Sequence, residues 1–66
     1  NRMVRYRRRG NFSMVDVIVD ETTRFIAVES WSITGGWDLF TPDNYINVGR
    51  FRTLNDMETW IEEQDK

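Results

Sequence analysis

"VRYRRRGNFSMVDVIVD" (residues 4–20) decides the fold. In its first half Val4 and Tyr6 alternate with Arg5, Arg7 and Arg9; Arg8 is the misfit, which the count places on the valine side, at its rim near the turn. In its second, Val15, Val17 and Val19 alternate with Met14, Asp16 and Ile18. A period of two belongs to strands with unlike faces, and a helix of about nine residues is marginal in water. Gly10-Asn11 between the halves reads as a two-residue hairpin loop. That loop sets Arg7 opposite Met14, Arg5 opposite Asp16, Tyr6 opposite Val15 and Val4 opposite Val17. A slip of one residue would move the arginines among the valines, so the pattern specifies which side chains share a face.

The segments that follow extend the sheet. "RFIAVESWSI" (24–33), "WDLFT" (37–41) and "YINVGRF" (45–51) are rich in β-branched and aromatic residues. Turn signals separate them at Glu21-Thr22, Gly35-Gly36 and Pro42-Asp43-Asn44. The last stretch is helical: Thr53 fits an N-cap, Asp56 follows at the third position, and Leu54, Met57 and Ile61 share a face beside Trp60. The expectation is one α+β domain over residues 1–66. It has a four- to five-stranded antiparallel meander (about 3–9, 12–19, 24–33, 37–41, 45–51) and one C-terminal helix (about 54–64) packed on one face.

Counting along the hairpins gives two unlike sheet faces. With a Glu21-Thr22 loop, Ile26 and Val28 join Val4, Tyr6, Val15, Val17 and Val19, together with Trp37, Leu39, Ile46 and Val48. This aliphatic face is the natural partner of the helix. The other face collects Arg5, Arg7, Arg9, Phe12, Met14, Phe25, Ala27, Trp31, Ile33 and Phe40, with Tyr45 and Phe51 joining them if the last loop has two residues; a three-residue loop exchanges these two with Ile46 and Val48. The alternative for this second face is closure of the twisted sheet into a small barrel.

Composition narrows the function. With 66 residues and no cysteine, the chain has neither disulfides nor thiolate metal sites to supplement a small core. A cytoplasmic setting is the expectation, without a signal peptide or membrane span. Histidine is absent as well, so the commonest general base and the strongest nucleophile are both missing. No phosphate-binding loop or calcium-loop spacing is present. The expectation is a non-enzymatic protein with no cofactor, no metal and no small-molecule substrate.

Charge is uneven. Residues 2–9 hold five of the nine basic residues and no acid, in a chain of net charge −2. Arginine and aromatic side chains are the residue types enriched in binding hot spots. The partner-binding candidates are therefore Arg5, Arg7, Arg9, Phe12, Met14, Trp31 and Phe40, meeting a protein partner or a second copy. The alternative is single-stranded nucleic acid or DNA stacked on the aromatics and held by the arginines; the net negative charge and the acids Asp16, Glu29 and Asp38 weigh against it. The closing "GRFRTLNDMETWIEEQ" (49–64) resembles in outline the strand-into-helix ending of small βββα domains, among them the arm-type DNA-binding domains of phage integrases. Small cysteine-free, Trp-rich chains are common among phage and mobile-element products. That association suggests a regulator or inhibitor acting by contact.

Overall fold

Five of the six residues of β2 (Met14–Val19) are buried, so this strand is covered on both sides. The computed structural model describes residues 3–10, 13–30 and 35–64. In it β1 (Val4–Arg8), β2, β3 (Thr22–Glu29), β4 (Trp37–Phe40) and β5 (Asn47–Phe51) form one antiparallel sheet in sequence order, followed by α1 (Leu54–Gln64). This is the α+β meander with a C-terminal helix that the patterning predicts. The sheet is open, with β1 and β5 at its edges, rather than closed into a barrel.

The first hairpin keeps its faces but shifts its register by two residues. The Arg9 N–H donates to the Met14 carbonyl at 3.0 Å, closing a four-residue connection, Gly10 to Ser13, instead of a two-residue loop. Arg7, not Arg5, therefore stands opposite Asp16, and Tyr6 stands opposite Val17. A shift of two leaves every side chain on its expected side.

The second hairpin differs in a way that matters more. Its tight turn is Asp20-Glu21, both with positive φ (51° and 71°), one residue earlier than the sequence suggests. The pairing then slips between Val17 and Ile18, so Val17 faces Phe25 while Ile18 faces Thr23, and Arg24 is the extra residue of a β-bulge. The turn alone would preserve the expected faces; the bulge inverts them. Phe25 and Ala27 lie on the helix side, and Ile26 and Val28 lie on the arginine side.

The core sits between sheet and helix. Val17, Val19, Ala27, Leu39, Met57 and Ile61 form it, and Val4, Tyr6, Phe25, Trp37, Val48, Phe51 and Trp60 pack around it. Trp60 meets Phe25 edge-on at 5.8 Å and Phe51 at 5.7 Å, so these two rings belong to the core and not to the arginine face. The helix begins where its cap predicts: Thr53 Oγ1 accepts the Asp56 N–H at 3.1 Å. Met57 and Ile61 are buried, whereas Leu54 lies exposed at the rim.

Tyr6 ties the edge strand to the helix. Its hydroxyl donates to Glu58 Oε1 at 2.8 Å. Burial, and then the Glu58 carboxylate, push the Tyr6 phenol well above its ordinary value. Because the folded state holds this proton more tightly than the unfolded chain, the contribution is complete below about pH 10 and is lost as pH rises further. Tyr6→Phe is expected to cost about 1–2 kcal/mol at neutral pH. It should also flatten the fall in melting temperature that the parent shows above pH 10, as read by thermal melts across that range.

Candidate interaction face

The side of the sheet away from the helix is built from two rows of directly opposed residues. One runs Arg7, Asp16, Ile26, Phe40, Asn47; the other runs Arg9, Met14, Val28, Asp38, Arg50. Arg5 lies on the same face opposite Ile18. Five of the expected contact residues, Arg5, Arg7, Arg9, Met14 and Phe40, are therefore brought to one face. Phe12 and Trp31, like Ile33, lie outside the described residues. Phe25, Ala27 and Phe51 are on the helix side instead: the bulge at Arg24 turns the first two, and the slip between Leu39 and Phe40, which leaves Val48 as the extra residue of β5, sets Phe51 opposite Trp37. Glu29, opposite Trp37, is on that side as well.

Asp16 organises this face. Only 3% of it is exposed, in a strand otherwise apolar from Val15 to Val19. Arg7 donates to its Oδ2 through Nη2 at 3.0 Å and Nε at 3.3 Å. Arg9 Nε lies 2.7 Å from Oδ1, an ion contact in which Oδ1 accepts no hydrogen bond. A carboxylate this deep loses most of its hydration, and the two guanidinium groups compensate for it. The arginines remain largely solvated, at 69% and 44% side-chain exposure, so their charges still face outward. Arg5 pairs with Glu21 at 3.1 Å, both exposed, a pair of small energetic value.

A second tie comes from the loop after β4. The Thr41 N–H donates to the Ile46 carbonyl at 3.0 Å, leaving Pro42 to Tyr45 as a four-residue connection with Tyr45 at φ 54°. The Tyr45 side chain, and then the charge of Asp16, hold the Arg9 guanidinium more firmly protonated. Ile26 lies between Asp16 and Phe40 in the row across the strands, on the side away from the helix. Ile26 is fully buried there. Tyr45 and Ile46 themselves stay more than half exposed, although Ile46 was expected beneath the helix. Tyr45 and Asp16 are the residues that sequence counting undervalued. A lone acid inside an apolar strand was the available signal for the second.

At the other end of β4, Arg50 chelates both oxygens of Asp38 at 3.0 Å and donates to the Gly35 carbonyl at 2.6 Å. Gly35, Arg50, Phe51 and Arg52 line an open hollow of about 270 Å³, below the usual size of an enclosed ligand pocket. Among the described residues no group of three or more His, Cys, Asp or Glu side chains is placed to hold a metal ion. No helix among them is long and apolar enough to cross a membrane. Compared with known protein families, curated sequences and solved structures, the chain matches none.

Proposed function

We propose that this domain is a non-enzymatic binding module that acts by protein–protein contact through its arginine-bearing sheet face. The observation that carries this reading is the arginine row itself. Arg5, Arg7 and Arg9 project together from one face, half-buried Met14, Val28 and Phe40 lie beside them, and Tyr45 and Ile46 are exposed on the adjoining loop. Arginine and tyrosine against a partly apolar floor are typical anchors of protein interfaces. The nucleic-acid alternative needs several exposed rings. Among the described residues of this face Tyr45 offers one, since Phe25 and Phe51 pack on Trp60 and Phe40 is half-buried.

The test is affinity capture from the source cell with Arg5→Glu and Arg7→Gln variants, their folding checked by circular dichroism. Both should lose the same partner at least tenfold, while Glu63→Gln on the exposed side of the helix retains it. Retention by both arginine variants would falsify the choice of face. A parallel titration with labelled single strands decides the alternative. Three or four phosphate contacts give a log–log salt slope of about −2 to −3, and absence of binding at low salt removes nucleic acid. Sedimentation at high micromolar concentration separates a second copy from a foreign protein: a strict monomer excludes self-association.

A further inference from the structure

We infer that the outer edge of β1 is a strand-docking site for an extended segment with acidic residues at alternate positions; this deepens the protein-contact reading and rests on it. The hydrogen bonds at the two ends of the first hairpin fix which backbone groups are free. Arg9 N–H donates to Met14 and Asp20 N–H donates to Met3, so residues 3, 5, 7 and 9 turn their amides and carbonyls toward β2. Val4, Tyr6 and Arg8 therefore turn theirs outward, on the side where the sheet has no further strand among the described residues.

The two edges are not equivalent. The β1 ladder is regular over all five residues. The opposite edge strand, β5, is interrupted by a register shift beside Phe40, where the Asn47 side-chain amide donates to the carbonyls of Leu39 and Gly49. Bulged edges resist strand addition, whereas flat regular ones accept it.

Charge selects the occupant. If two copies of β1 paired antiparallel through Val4, Tyr6 and Arg8, Arg5 would face Arg7 of the other copy on the same side, and like charges directly opposite are destabilising. A second copy is thereby disfavoured. An extended segment with an acid at every second residue would instead set its carboxylates beside Arg5, Arg7 and Arg9. Its intervening residues would fall on the helix side, where Glu58 and Glu62 lie near the Tyr6 hydroxyl and disfavour further acids. The backbone ladder supplies affinity and the alternating side chains supply specificity, as in other strand-addition complexes.

The probe is a capped eight-residue Thr–Glu repeat peptide added to the whole chain, with amide exchange followed by NMR. At saturation the amides of Val4, Tyr6 and Arg8 should exchange at least tenfold more slowly, and the matching Thr–Lys peptide should have no effect. Arg8→Pro removes an outward N–H without touching the inner ladder, so it should weaken the Thr–Glu peptide at least tenfold, against two- to threefold for Arg8→Ala. Failure of the Thr–Glu peptide to bind, or binding that leaves these three amides unprotected, overturns the inference. Shifts confined to the arginine side chains overturn the edge alone and keep the face. Loss of the face reading is recognised separately, by retention of the captured partner in Arg5→Glu and Arg7→Gln.

Discussion

Ile26→Ala is expected to destabilise the domain by about 2–5 kcal/mol, the range for emptying a fully buried aliphatic site. A chain of this length has a total stability of about 3–10 kcal/mol, so the variant loses much of its margin. In a small domain even 2 kcal/mol lowers the melting temperature by about 8–16 °C. What distinguishes this prediction is its direction in space. Ile26 is buried away from the helix, between Asp16 and Phe40, on the side where the Tyr45 loop adjoins the sheet. In double-mutant cycles it should couple to Tyr45→Ala by at least about 0.5 kcal/mol and be additive with Trp60→Ala. Coupling to Trp60 and additivity with Tyr45 would restore the opposite register and remove the bulge at Arg24. Urea midpoints of the three single and two double variants measure both cycles.

Gly36→Ala should cost about 2–5 kcal/mol, for two separate reasons. Its φ of 102° lies where side-chain-bearing residues are strained, and a Cβ there would stand 2.8 Å from the Phe51 carbonyl oxygen. That oxygen is backbone and cannot rotate aside. The Gly36 carbonyl also accepts the Ser30 N–H at 2.8 Å, so a shift of this residue loosens the join of β3 to β4. Gly35 is the internal control. Its φ is 66°, and no atom lies within 4 Å of the corresponding Cβ position, so Gly35→Ala should cost only about 1 kcal/mol. Equal losses in the two variants, read from denaturant melts, would show that backbone conformation alone governs this turn and that the close approach to Phe51 does not.

Asp16 and the arginines divide the work on the second face. The sequence suggested a row of arginines beside exposed rings, with Arg5 opposite Asp16. In the structure Arg7 and Arg9 both meet the buried carboxylate of Asp16, and Ile26 beside it is fully buried. What remains for a partner is the outward side of the arginines, the Tyr45–Ile46 loop and the β1 edge. The reading of the face thus moves from aromatic stacking toward charge and backbone.

The period of two in residues 4–20, the cap at Thr53 and the turn glycines determined the strand order, the helix and the common face of Arg5, Arg7 and Arg9. Those features are local, and a register error of two residues does not disturb them. The tertiary structure decided which face of β3 meets the helix. In "FIAV" (25–28) both alternate sets are apolar, so the sequence carries no preference that an observer can count. Packing makes the choice: Phe25 fits edge-on against Trp60, and the bulge at Arg24 supplies the one-residue slip that brings it there. The approach of Tyr45 to Arg9 was equally beyond local patterning, because it joins residues 36 positions apart that only the finished sheet brings together.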